Sequence, residues 1–124
     1  MTKTTKNTYD LEERTAQFGE SVIDLCQKLP KNEISRPIIS QIVRSATSIG
    51  ANYMEANNAS SKKDFRNKIY ISKKECQETK HWLRMLAKAL PENKVTIRTI
   101  WQECHELTLI FQAISMKLKP KQPV

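Results

Sequence analysis

Little in this sequence turns a chain tightly. Two glycines in 124 residues leave few positions free for left-handed backbone, which argues against the hairpins of a many-stranded β fold. The five prolines sit mostly near segment ends, where they stop helices rather than break them. Cys26, Cys76 and Cys104 are odd in number and far apart, with no C-x-x-C pair. They cannot all pair internally, so a reducing compartment and a cytoplasmic location are expected. No apolar run approaches the ~18 residues of a membrane span, and no membrane association is expected. Residues 1–8 are polar and lack the apolar core of a signal peptide. They and residues 119–124 are expected to be flexible tails.

What is present is helical periodicity in one domain spanning residues 1–124, a length sufficient for one apolar core without metal or disulfide staples. Four segments carry it, at about 10–29, 35–57, 61–90 and 96–118. In the first, Leu11, Phe18, Val22, Leu25, Cys26 and Leu29 form one face, with Asp10 as expected N-cap and Pro30 as stop. The second opens at Ser35, tolerates Pro37 in its first turn, and places Ile38, Ile42, Ala46, Ile49, Gly50 and Tyr53 inward. Ala46 and Gly50, four apart, allow another helix to approach closely. In the third, Ser61 and Asp64 form a capping box ahead of Phe65, Ile69, Cys76, Leu83, Leu86, Ala87 and Leu90. The fourth turns Ile97, Ile100, Trp101, Cys104, Leu107, Phe111, Ile114 and Leu118 inward. Short connections make antiparallel neighbours, so the expected fold is an all-α, up-down-up-down four-helix bundle.

The net charge is +8, a surplus that suits polyanions but also serves plain solubility. At ~100° per residue, the third helix sorts its charges by face. Lys62, Arg66, Lys73, Lys80, Arg84 and Lys88 flank the core stripe on one side, widened by Lys63, Tyr70 and Lys74. Roughly opposite lie Asp64, Ile71, Glu75, Glu78, Trp82 and Met85. Three readings compete. A solvated face explains charge alone. A phosphate-binding ridge explains the basic sector, with Tyr70 placed to stack a base. A subunit interface explains Ile71, Trp82 and Met85 beside Glu75 and Glu78, outside the core stripe.

Catalytic signatures are missing. There is no Gly-rich phosphate loop and no nucleophile elbow. Glu78 and His81 form one Glu-x-x-His pair, where a di-iron bundle needs two such pairs and two further glutamates facing the core. Cys104 and His105 are adjacent and diverge on a helix. Asn52 and Glu55, near Glu75 and Glu78, are the best polar cluster, and its expected role is structural bonding between helices. Neither metal nor cofactor is expected, and the chain is not expected to be an enzyme.

The run Arg44, Ser45, Ala46, Thr47, Ser48, Ile49, Gly50, Ala51 and Asn52, followed by Glu55, resembles the signature of the four-helix-bundle family known from bacterial 23S rRNA intervening sequences. Ser61, Asp64, Phe65, Glu75, Glu78, Thr79, Trp82 and Leu83 are similar to its second block, and the resemblance spans about residues 9–118. It implies a four-helix bundle, commonly a ring-shaped homopentamer. The family is also similar to the accessory variability proteins of diversity-generating retroelements, which work with a reverse transcriptase and nucleic acid. Where the family has glycines and an arginine after the glutamate, this chain has Ala56, Asn57, Asn58 and Ala59. The asparagines still suit a turn, but the arginine has no counterpart.

The expectation is therefore a basic, non-catalytic homo-oligomer that binds structured RNA or DNA. Lys62, Lys63, Arg66, Lys73, Lys74, Lys80 and Arg84 would contact phosphate, and Tyr70 would stack. The alternative is a protein-interaction adaptor, with a reverse transcriptase or another protein as partner, using the apolar-acidic face of the third helix.

Overall fold

The computed structural model describes residues 8–119, with side chains from residue 11 onward. The tails expected to be flexible thus fall, but for their inner ends, outside the described residues. Four helices follow one another: α1 (Thr8–Lys28), α2 (Ser35–Asn57), α3 (Lys62–Ala89) and α4 (Lys94–Lys117), with a single 3-10 turn, Pro91–Asn93, before α4. No strand occurs among the described residues.

Each boundary has a local cause. Asp10 lies inside α1 rather than capping it, because the helix begins at Thr8. At its other end, Lys31 Nζ donates to the carbonyls of Cys26 (2.6 Å) and Leu29 (2.9 Å), meeting acceptors the helix leaves free. Asn32 Oδ1 then accepts from the amides of Ile34 and Ser35, both at 2.8 Å, and starts α2 where the sequence places it. Ser61 is extended, and its hydroxyl accepts from Asp64 N at 3.0 Å, one half of the expected capping box, while the Asp64 carboxylate accepts from Ser60 Oγ at 3.4 Å. The fourth helix starts two residues early: the 3-10 turn at Pro91 carries the chain into Lys94 without an extended linker.

Contacts between consecutive helices reverse in order, so neighbours run in opposite directions. Glu12 meets Asn57 while Gly19 sits against Thr47. Arg44 meets Glu78 while Glu55 meets Lys68. Arg84 and Lys88 share a groove with Lys94 and Arg98, while Lys80 reaches His105. The fold is the four-helix bundle expected, and α1 and α3 lie across its diagonal, with no close approach of their backbones.

The core runs the length of these seams. Ile42, Ile49, Ile69, Leu83, Leu86, Leu107 and Phe111 are completely buried, and Phe111 meets Tyr53 edge-on at 5.5 Å. The inward register of α2 is corrected at one point: Ile39 is buried and Ile38 only half so. Phe65, Ile100, Trp101, Ile114 and Leu118, expected inward, are half-buried and pack on the core's margin. At Gly50 α1 comes close, since a Cβ there would stand 3.1 Å from Thr15 Oγ1.

Candidate nucleic-acid interface

The third helix carries nine cations and three carboxylates, and the bundle sorts them by neighbour. On the side facing α2, the carboxylates are paired. Arg44 donates to Glu75 at 3.4 Å and, more closely, to Glu78, and Lys68 meets Glu55 at 2.6 Å. Desolvation works against the charged form of Arg44, yet the bond to Glu78 and the charge of Glu75 hold its pKa above the ordinary value. Asn52 Nδ2 donates to the Ser48 carbonyl at 2.9 Å. Asn52, Glu55, Glu75 and Glu78 thus divide into separate bonds within and between helices and form no common site.

The basic sector looks outward and toward α4. Lys62, Lys63, Lys74 and Arg84 are exposed, as is Tyr70, while Arg66 and Lys73 are half-buried. None of these six cations is within ion-pair distance of a carboxylate among the described residues. Lys80 differs. Its ammonium donates to His105 Nδ1 at 2.9 Å and lies 4.9 Å from the Trp101 ring, so it is tied into the seam between α3 and α4. His105 in turn stacks on Trp101, centroids 5.2 Å apart and planes 10° from parallel.

Of the residues expected at a subunit contact, Ile71 is 37 % exposed. Trp82 is half-buried against the core, edge-on to His81 at 5.1 Å. Met85 is half-buried and lines a groove with Arg84. Glu75 and Glu78 are held by Arg44, as above.

That groove was not foreseen. It opens between the end of α3 and the start of α4, with a volume of about 1040 Å³, and Arg84, Lys88, Lys94 and Arg98 line it together with Trp101. The signal was available: Arg84 and Lys88 stand one turn apart before Pro91, Lys94 and Arg98 one turn apart after it. A helical hairpin brings such pairs together. Across the bundle, a smaller groove of about 450 Å³ between α1 and α2 is lined by Glu12, Glu13 and Glu20 with Ile23 and Met54.

No group of three His, Cys, Asp or Glu side chains that could hold a metal converges among the described residues. The three cysteines are free and buried. Burial pushes the Cys26 thiol up, and for Cys104 the bond toward Cys76, with burial, does the same. Among the described residues, no helix is long and apolar enough to cross a membrane.

These observations define a class: an all-α bundle whose third helix presents a broad, unneutralised basic face and whose paired carboxylates serve helix packing. Within that class, the chain belongs to the family of 23S rRNA-intervening sequence proteins, whose model matches residues 7–113. It is similar to a solved structure, a protein of unknown function from the S23 ribosomal protein family of Bacteroides thetaiotaomicron. The two share 29 % identity, with a TM-score of 0.80 over 88 % of this chain and 97 % of that one. No curated protein matches the sequence. The two blocks that carry the resemblance prove to be each other's partners, since Arg44 pairs with Glu75 and Glu78, and Ser45 with Thr79.

Proposed function

We propose that this protein is a non-catalytic, homo-oligomeric helical bundle that binds structured RNA or DNA through the basic face of α3. The observation that carries the reading is the disposition of charge along that helix. Lys62, Lys63, Arg66, Lys73, Lys74 and Arg84 have no carboxylate partner among the described residues, while Glu75 and Glu78 are held by Arg44 on another side. A cationic strip with no counter-charges of its own neutralises phosphates and releases their counterions. Tyr70, exposed within the strip, offers a ring to an unpaired base. Lys80, engaged by His105, serves the seam more than the strip.

The family's name points to rRNA, and free buried cysteines suit the reducing cytoplasm. Self-association, with a pentamer as the form the family resemblance implies, finds support in two grooves of opposite charge on one chain. The adaptor reading, with a reverse transcriptase or another protein as partner, has one observation in its favour, the exposed Ile71 beside the acidic flank. Trp82 and Met85 weaken it because each is already half-buried.

The test is fluorescence anisotropy with a structured 23S-like RNA and a DNA duplex at two salt concentrations. Affinity should fall steeply with salt. The double reversal K63E/K74E should weaken binding at least about tenfold and lower the salt slope by about 2, one unit per lost phosphate contact. Failure of the unmodified protein to bind either ligand at low salt would overturn the proposal and leave the adaptor reading in its place.

A further inference from the structure

The groove between α3 and α4 concentrates positive charge in a concave place. Arg84, Lys88, Lys94 and Arg98 surround it, and no carboxylate lines it. Glu92, the nearest acid in sequence, stands exposed in the 3-10 turn and is not among the lining residues. Leu83 and Ile97 lie behind it, both essentially buried, and such a low-dielectric wall focuses the field of the charges above it.

The start of α4 adds to the same sign. Asn93 makes no side-chain cap, no acid occupies the first turn, and the first helical residue is Lys94. A helix N-terminus already carries partial positive charge and free amides. Placing a lysine there, facing three further cations, costs stability unless an anion comes to the groove.

Two features define the anion. The groove is open, and its volume of about 1040 Å³ leaves room for more than an inorganic phosphate. The lining is also partly apolar and aromatic: Met85, Ile97 and above all Trp101. Trp101 is held in place, stacked by His105 and approached by Lys80 at 4.9 Å. A phosphate alone has no use for an immobilised indole, whereas a base does.

We propose that this groove receives one unpaired nucleotide of a bound nucleic acid, its base against Trp101 and its phosphates among Arg84, Lys88, Lys94 and Arg98. The inference rests on the nucleic-acid reading of α3 and sharpens it. Arg84 belongs both to the strip and to the groove, so a strand lying along α3 leads into it. A base inside a duplex cannot reach the indole, so the ligand would be a single strand, a loop or a frayed end.

The experiment uses the full chain carrying W82F, which leaves Trp101 as the one fluorophore of its type. A ten-nucleotide oligouridylate, a blunt RNA duplex and a polyglutamate peptide are titrated in turn. The oligouridylate should quench Trp101 saturably and the duplex should not. In the native background, W101L should weaken single-strand binding about tenfold and leave duplex affinity within about twofold, with W101F restoring much of the loss. K94A/R98A should likewise weaken the single strand about tenfold. Absence of quenching by a single strand that binds, or quenching by polyglutamate at equal affinity, overturns the proposal. If the groove variants bind normally while K63E/K74E does not, the groove inference falls and the α3 reading survives. If nothing binds the unmodified protein, both fall. The quenching readout does not depend on whether W101L folds.

Discussion

Thr79 Oγ1 and Ser45 Oγ lie 2.7 Å apart in the seam between α2 and α3, both side chains wholly shielded from water. The Thr79 hydroxyl is also 2.7 Å from the Glu75 carbonyl of its own helix. Two turns of α3 away along the seam, Ser72 Oγ donates to the Ile49 carbonyl at 3.0 Å. Thr79→Val removes a buried hydroxyl and its bond to Ser45, so it should destabilise the protein by about 1 kcal/mol. Ser45→Ala should cost about the same. The double variant should lose about 0.5 kcal/mol less than the sum, because only the bond between the hydroxyls is shared, and each keeps a carbonyl of its own helix when the other is removed. Urea titrations of the four proteins measure the cycle, and strict additivity would show that the hydroxyls act separately.

The two glycines should respond oppositely to alanine. At Gly19 a Cβ would meet Thr47 at an ordinary 3.6 Å, so Gly19→Ala should gain about 0.5–1 kcal/mol from helix propensity. At Gly50 the added carbon would stand 3.1 Å from Thr15 Oγ1 and 3.3 Å from Thr15 Cβ. Thr15 is buried and its hydroxyl donates to the Glu12 carbonyl at 3.0 Å, so it yields only if α1 moves. Gly50→Ala should therefore lose about 1–2 kcal/mol net, and Thr15→Ala added to it should recover part of that. Thermal unfolding decides, and a gain at both glycines would mean that α1 is free to shift.

Alkali should loosen the bundle through its thiols. Cys104 and Cys26 are held above their ordinary value in the folded chain, where the thiolate is disfavoured. Above the unfolded thiol's pKa of about 8.5–9, the unfolded chain has shed protons that the folded chain keeps. Stability is thus full below that pH and is lost as the pH rises beyond it, by up to about 1.4 kcal/mol per pH unit for each thiol. Chemical denaturation at pH 8, 9 and 10 should show the decline, and Cys104→Ala should flatten it whatever its effect on absolute stability. An equal slope in that variant would assign the alkaline loss to other groups.

The forked contact of Arg14 is weaker than its geometry suggests. Nε and Nη2 donate to Glu103 at 2.8 and 3.0 Å, and Nη2 also to Glu106 at 2.8 Å, joining α1 to α4. The bond to Glu103 leads in raising the arginine's pKa, yet both partners are more than a third exposed. Arg14→Met should cost only about 0.5–1 kcal/mol in low salt and less in 1 M NaCl. A loss of several kcal/mol that salt leaves untouched would mean that the methylene stem, not the charge, holds the helices.

Helical periodicity made the architecture legible, because apolar residues at helical spacing have one arrangement that buries them all. The ends of α2 and the Ser61 cap were readable because local chemistry decides them. Asp10 misled because a good capping residue says nothing about whether the chain before it is already helical. Ile38 misled because adjacent isoleucines differ by ~100°, and only the packing of α1 and α3 selects Ile39. The basic strip of α3 was readable as a periodicity within one helix. The groove left only a partial signal, the two basic pairs either side of Pro91, since Arg84 and Arg98 meet only across a hairpin and Trp101 counted as core. The exchange between Arg44 and the glutamates of α3 likewise became visible only once two separate sequence blocks lay side by side.

The diagonal placement of α1 and α3 has a kinetic consequence. α1 carries five carboxylates and two cations, and α3 nine cations and three carboxylates, on helices whose backbones do not adjoin. The protein is therefore a charge couple across its short axis as well as a net cation. A polyanion coming within roughly a Debye length, about 8–10 Å in physiological salt, exerts a torque that turns α3 toward it and α1 away. Productive orientation begins before contact, so collisions arriving on the wrong face still lead to capture, and the rate of association should depend on salt more strongly than the net charge alone would require.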